Sequence, residues 1–269
     1  MPITVGYIEN SAKVSISDSS PNEHIAIWGI SGSGKSTRIS NIVEEVVGQG
    51  GTVIAFDLAG QDYQNINSAT CRISAQRDGF DLKLLDTSMV EQGIESYINY
   101  ISFVVDLFTD VYRLGVRQQA ALRMAIEYAS KNIKKFPSEM AAIQEGLNRQ
   151  ETAVADGVAS KLWQILNAGV FCHNEKKFRR GQINILDFGG INNSAQHELA
   201  EIVLACIWRK IRLTGAKEKI CIVIDEFQNF VRSKRSALLE MLREARKYNV
   251  NIILATQTPG SIPKDVMSS

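Results

Sequence analysis

Gly29-Ile30-Ser31-Gly32-Ser33-Gly34-Lys35-Ser36-Thr37 satisfies the phosphate-binding loop pattern of a glycine, four residues and Gly-Lys-Ser without a mismatch. A polyphosphate needs several backbone N–H donors converging on one point, with a cation and a metal ligand beside them. Glycines at 29, 32 and 34 let the backbone curl closely around phosphates. Lys35 supplies a point charge, and the Ser36 hydroxyl can ligate Mg2+ at the positive end of a following helix. The expected nucleotide cradle is therefore Ser31, Gly32, Ser33, Gly34, Lys35, Ser36 and Thr37, and it predicts an ATPase.

The flanks agree with this reading. His24 to Trp28 is a short apolar run that predicts a buried strand, and Ile39, Ile42, Val43, Val46 and Val47 recur at helical spacing. Strand, loop and helix is the order the motif requires. A dinucleotide-binding fingerprint fails, because Thr37 stands where its third glycine would be.

Working outward, 269 residues at 45% apolar and 22% charged can bury a sizeable core as one large α/β domain or one domain with an insert. A formal net charge of +1 draws the chain to neither nucleic acid nor membrane, so any polyanion site must be a local patch. Cys71, Cys172, Cys206 and Cys221 form no Cys-x-x-Cys pair and mostly sit among apolar neighbours, which argues against a metal or disulfide role. No basic leader with an apolar core opens the chain, and no apolar run approaches the ~20 residues of a membrane span. The expected compartment is the cytoplasm.

Ile3 to Val5 and Val14 to Ile16 predict an N-terminal β-hairpin extension over 1–24. The first part of the P-loop core is expected over 25–91, with Thr52 to Phe56 a second buried strand that ends at Asp57-Leu58-Ala59-Gly60-Gln61-Asp62. Over 92–168 the period becomes helical and predicts an insert of several helices. Ile94, Ile98, Ile101, Val105, Phe108 and Tyr112 make one stripe, Val154, Val158, Leu162 and Ile165 another, and Pro137 opens a short helix bearing Met140, Ile143 and Leu147. The second part of the core, 169–269, holds strand signals at Ile183–Phe188, Lys219–Asp225 and Val250–Thr256, with helical stretches near 194–213 and 233–248. Alternating β and α predicts an α/β fold with a mostly parallel sheet and helices on both faces. Asp187-Phe188-Gly189 repeats a kinase metal-binding triplet but follows no His-Arg-Asp loop, so it reads as a strand-ending turn.

Ile220 to Ile224 followed by Asp225-Glu226 has the form of a Walker B strand. Two adjacent carboxylates at its tip can divide the labour. Asp225 would hold Mg2+, and Glu226 would orient and deprotonate the water that attacks the γ-phosphate, which favours hydrolysis over transfer. Gln257, just past the last strand, stands where a polar side chain can sense the γ-phosphate.

Ile27–Thr37, Asp57–Gly60, Asp225-Glu226, Leu242–Asn249 and Ala255–Pro259 together resemble the successive motifs of the HerA/FtsK superfamily, from about residue 24 to the end. That group includes DNA-pumping ATPases and the ATPases of conjugation and type IV secretion. The resemblance implies a RecA-like P-loop fold, ATP and Mg2+ as ligands, and a homo-oligomeric ring, a hexamer, that moves or remodels DNA. It further implies partner proteins of a conjugation, secretion or DNA-processing system. Lys35, Ser36, Asp225, Glu226 and Gln257 match the family positions for phosphate, metal, catalytic carboxylate and sensor. Arg246, or else Arg243, would be the finger that reaches a neighbouring subunit's nucleotide; the bland reading of both is a solvated basic helix face. The chain departs from the family at Gln61, where members usually carry glutamate. It also begins and ends short of the usual extra modules, like a bare motor core. Lys176–Arg180 reads as loop charge, and Arg232–Arg235 either as loop charge or as a phosphate contact facing a central channel. The rival reading is a nucleotide-gated assembly or secretion-type ATPase that moves no DNA. A small-molecule kinase is disfavoured, because no acceptor motif or lid is recognisable.

Overall fold

The computed structural model describes residues 3–7, 13–16, 24–30, 32–60, 63, 66, 68, 70–80, 82–171, 177–227, 230 and 236–257. They fall into two compact units, one of residues 1–74, 178–189 and 215–269, the other of residues 75–177 and 190–214.

The first unit opens with β1 (Ile3–Tyr7) and β2 (Lys13–Ile16), an antiparallel pair. Thr4 donates from its backbone N–H and its hydroxyl to the two oxygens of Glu45, at 2.8 and 3.0 Å. The main sheet holds β3 (Ile25–Trp28), β4 (Thr52–Asp57), β5 (Thr70–Ser74), β6 (Ile183–Asp187), β7 (Ile220–Ile224) and β8 (Val250–Thr256). Its order is β3-β8-β7-β4-β6-β5, and every pairing is parallel. Helix α1 (Lys35–Gly48) lays Ile39, Ile42, Val43 and Val46 on one face of the sheet, against Val53, Ala55, Ile185, Val223 and Ile253. Those helix positions are the ones its spacing predicted, while Val47 is only partly buried. On Phe56, an alternate position of β4, the ring of Phe188 stacks at 6.0 Å and that of Phe230 meets it edge-on at 5.8 Å.

Inner strands read as near-continuous apolar runs, interrupted at Asn184 in β6 and Asn251 in β8, and β4 and β8 are buried at every residue. The expectation that the strand before the loop is buried does not hold. β3 is an edge strand that alternates half-buried and exposed, and Trp28 is 57% exposed. A run of four residues gives the same signal at a sheet's edge as at its centre, because only the strand order sets which it is. β5, the opposite edge, carries Thr70, Arg72 and Ser74 among its five residues and gives no apolar run to recognise.

The second unit contains α2 (Ser88–Glu91), α3 (Tyr97–Tyr112), α4 (Val116–Asn132), α5 (Glu139–Asn148), α6 (Ala153–Lys161), α7 (Trp163–Asn167) and α8 (Asn193–Thr214). Side-chain caps start three of these: Ser96 accepts from Asn99 N–H, Ser138 from Ala141 N–H and Thr152 from Ala155 N–H. The apolar stripe of α3 lies one step round from the expected one. Tyr100, Ile101, Val104, Val105 and Phe108 are buried, whereas Ile98 is 74% exposed and Ile94 precedes the helix. Helices α4 and α5 pack so closely that a methyl group on Gly146 would meet the Ala125 carbonyl oxygen at 2.6 Å.

Candidate functional site

Parallel strands present all their C-terminal ends at one edge of the sheet, and side-by-side strands there bring sequence-distant tips together. β3 leads into the glycine loop, β8 into Gln257, β7 into Asp225 and Glu226, and β4 into the turn of Leu58 and Ala59. Gly29 N–H donates to Thr256 O at 3.3 Å, which extends the β3–β8 ladder to the base of the loop.

The loop takes its shape from its glycines. Gly32 and Gly34 have φ of 77° and 87°, in the left-handed region where a Cβ is strained. At Gly29 a Cβ would lie 2.4 Å from Ser33 Oγ. Gly34 caps α1, so the backbone N–H groups of the helix's first turn, which have no intrahelical acceptor, open on the loop. Lys35 folds back, and its ammonium donates to Gly29 O at 2.9 Å and Ile30 O at 3.2 Å.

Gly32, Gly34, Lys35, Ser36, Thr37, Ala59, Asp225, Glu226 and Gln257 line one open cleft of ≈ 490 Å³, within the usual range for small-molecule sites. Two hydroxyls, two carboxylates, an ammonium and a carboxamide thus line one space at a helix N-terminus. That donor set suits a polyphosphate with a hard, oxygen-seeking cation. Burial is the main influence on Asp225 and raises its pKa. The Glu226 N–H, at 2.8 Å from Asp225 Oδ1, and the charge of Lys35 oppose the rise, while the charges of Glu226 and Asp57 add to it. Glu226 sits in the left-handed region, φ 49°, and its carboxylate accepts from Gln257 Nε2 at 2.7 Å.

Of the residues the sequence nominates, Ser33 is in the loop but outside the cleft lining, and Ser31, Gln61 and Arg232–Arg235 lie outside the described residues. The expected single helix over 233–248 is interrupted. Helix α9 (Ala237–Glu244) gives way to a 3-10 turn, Ala245–Tyr248, which tightens the chain before Asn249 turns left-handed into β8. Arg243 ends the helix and Arg246 lies in the turn, so the two do not share one α-helical face; both are exposed and neither lines the cleft. Ala59 joins the lining from within the Asp57–Gly60 stretch that the resemblance marks, although its residue type alone gives it no role.

The family described as Helicase HerA, central domain, matches residues 3–207. The DNA double-strand break repair helicase HerA of Saccharolobus solfataricus is 20% identical over 279 residues, which cover 97% of this chain and 55% of that protein. Its namesake from Sulfolobus acidocaldarius is 22% identical over 289 residues, covering 97% and 56%. The chain thus spans little more than half the length of these relatives. Among solved structures, VirB4 of Thermoanaerobacter pseudethanolicus superposes with a TM-score of 0.70 at 15% identity, covering 96% of this chain and 77% of that one. The unbound bacterial conjugative coupling protein TrwB gives 0.65 at 15% identity, covering 96% and 66%. TrwB in complex with ADP and Mg2+ gives 0.63 at 14% identity, covering 89% and 64%. At these identities the likeness shows the fold, that of a RecA-like P-loop ATPase.

Proposed function

Because the chain belongs to the family of the HerA helicase central domain, we propose that it binds ATP with Mg2+ in the cleft at the strand tips, hydrolyses it, and drives movement or remodelling of DNA as a ring of identical chains. The observation that carries this reading is the convergence of Lys35, Ser36, Asp225, Glu226 and Gln257 on one cleft from three separate stretches of sequence. In this reading the loop N–H groups and Lys35 hold the phosphates, and Ser36 and Asp225 hold the metal. Bound Mg2+ would offset charge on the phosphate oxygens. Glu226 takes the proton of the attacking water, and Gln257 couples that carboxylate to the γ-phosphate. The solved TrwB complex with ADP and Mg2+ supports the ligand pair, and the HerA relatives, named as DNA repair helicases, support the DNA cargo. A ring lets Arg243 or Arg246 of one copy reach the cleft of the next, and partner proteins of a conjugation, secretion or DNA-processing system would engage the ring. Among the described residues no helix is long and apolar enough to cross a membrane; the cytoplasm, which supplies both ATP and DNA, is the proposed compartment.

The test is the rate of phosphate release against protein concentration, with and without DNA. The motor reading expects a rate per chain that rises steeply with concentration as rings form, and rises further with DNA. Hydrolysis indifferent to DNA would replace it with the nucleotide-gated assembly or secretion reading, and no phosphate release under any condition would end the ATPase assignment.

A further inference from the structure

Asp57 closes β4 and Asp187 closes β6, and the two are register partners on adjacent strands. Two residues earlier, Ala55 and Ile185 belong to the core beneath α1, so by the alternation of side chains both carboxylates lie on the α1 face. On the other side of β4, Phe56 pairs with Ile224, which brings Asp225 next in line, and the charge of Asp57 acts on it. Three carboxylates therefore stand at three neighbouring strand tips, an arrangement that like-charge repulsion disfavours.

Arg72 answers two of the three. It comes from β5, where it pairs with Ile185. Its Nη1 lies 2.7 Å from Asp57 Oδ2 and 3.2 Å from Asp187 Oδ2. The other oxygens are also engaged: Asp57 Oδ1 accepts from Gly60 N–H at 2.7 Å, and Asp187 Oδ1 from Gly189 N–H at 2.9 Å. Each carboxylate thus closes its own turn and shares one guanidinium. The turns also touch, since a Cβ on Gly60 would come within 2.8 Å of Gly189 Cα. Asp57 is fully buried, whereas Asp225 lines the cleft.

We propose that Arg72 is a positioning residue of the nucleotide site: by neutralising Asp57 and Asp187 it confines divalent-cation binding to Asp225, and it holds the turn bearing Ala59 at the cleft wall. The inference rests on reading the cleft as a site for Mg2+ and a nucleotide. Without the guanidinium, Asp57 and Asp187 would present uncompensated charge beside the metal position, attracting the cation away from Asp225 and repelling phosphate.

The test titrates Mn2+ into the full chain without nucleotide, read by electron paramagnetic resonance, and Mg-ATP separately by calorimetry. Arg72→Met is expected to bind Mn2+ roughly tenfold tighter than the parent, the scale on which an added neighbouring charge acts. It is also expected to bind Mg-ATP more weakly, with KM raised more than kcat is lowered. The double variant Arg72→Met with Asp57→Asn should return Mn2+ affinity close to the parent's, which a merely structural role would not predict. Arg72→Met binding Mn2+ no tighter than the parent, with an unchanged circular dichroism spectrum, overturns the proposal. Should Arg72→Met fail to fold, Arg72→Gln decides: its amide can still donate a hydrogen bond to a carboxylate but carries no charge, so Mn2+ binding should still tighten, and parental affinity overturns the proposal. Failure of the parent to bind Mg-ATP would sink the functional reading, while the nucleotide-free Mn2+ arm still reports on the charge role of Arg72.

Discussion

Gln257 Nε2 donates to Glu226 Oε1 at 2.7 Å, so the tips of β8 and β7 are joined through side chains as well as through the ladder between them. The carboxylate proposed to activate water is thereby tied to the residue proposed to sense the γ-phosphate. Glu226→Gln is expected to lower turnover by roughly 10²–10⁴, the usual contribution of a general base, because the amide can accept a hydrogen bond but cannot take the proton. ATP affinity should persist. Single-turnover phosphate release beside calorimetric binding checks both halves, and hydrolysis at the parental rate would remove Glu226 from the role.

Lys35 contacts the carbonyls of Gly29 and Ile30 through its ammonium, at the surface of the loop and away from the buried face of α1. Lys35→Ala should therefore weaken ATP binding by roughly 10–100-fold, the value of hydrogen bonds to a charged group, and leave the thermal midpoint close to the parent's. Calorimetry and a melting curve measure the two. Equal affinity in variant and parent would contradict the phosphate role.

An arginine acting across a subunit boundary contributes roughly 10³–10⁵ in rate in P-loop enzymes. If Arg246 or Arg243 does so, subunits carrying Arg246→Ala mixed with subunits carrying Lys35→Ala should regain hydrolysis where a good loop meets a good arginine, although each variant alone is nearly inactive. Labelled subunits would verify exchange into common rings. Exchange without recovered activity for either arginine would exclude this segment as the source of the finger.

Glu139, at the start of α5, accepts from Leu84 N–H at 2.7 Å, and burial pushes its carboxyl pKa up to about 7 from an ordinary value of 4.5. Between those pH values the folded chain keeps a proton that the unfolded chain has released. Stability should therefore be highest below about pH 4.5 for this group and decline as pH climbs to about 7. Glu139→Gln keeps an acceptor and removes the titration. Melting temperatures of parent and variant should converge at low pH and diverge in the variant's favour near pH 8; parallel curves would refute the assignment.

Gly146→Ala places a methyl group 2.6 Å from the Ala125 carbonyl oxygen. Helices α4 and α5 must separate to admit it, at a cost of about 1–3 kcal/mol, typical of overpacking. The urea midpoint should fall accordingly. An unchanged midpoint would mean that the two helices yield without loss.

The loop, α1, β4, β7 and β8 were legible because each rests on a local rule: glycine spacing, helical period, or an apolar run ending in polar residues. Features set by how elements pack were not. Trp28 and Ile98 are exposed although their residue type suggests a core. Arg72 has no motif around it, and its meaning comes from Asp57 and Asp187, distant in sequence and adjacent only after β4, β6 and β5 align. The break between Arg243 and Arg246 was likewise hidden, since Ala245 to Tyr248 carries no glycine or proline to announce a change of helix type.

Within the main sheet β3 has β8 as its one paired neighbour among the described residues, so the phosphate loop hangs from the rim. Detaching a rim strand means unzipping a single ladder, whereas displacing an inner strand means breaking two. A ligand gripped at once by Lys35 on the loop and by Asp225 on β7 would act as a rivet across β8, fastening the rim to the interior of the sheet. Emptying and refilling the cleft would then alternately loosen and stiffen the margin of the sheet, and any neighbour resting against β3 would feel each exchange of nucleotide as a change in mechanical compliance.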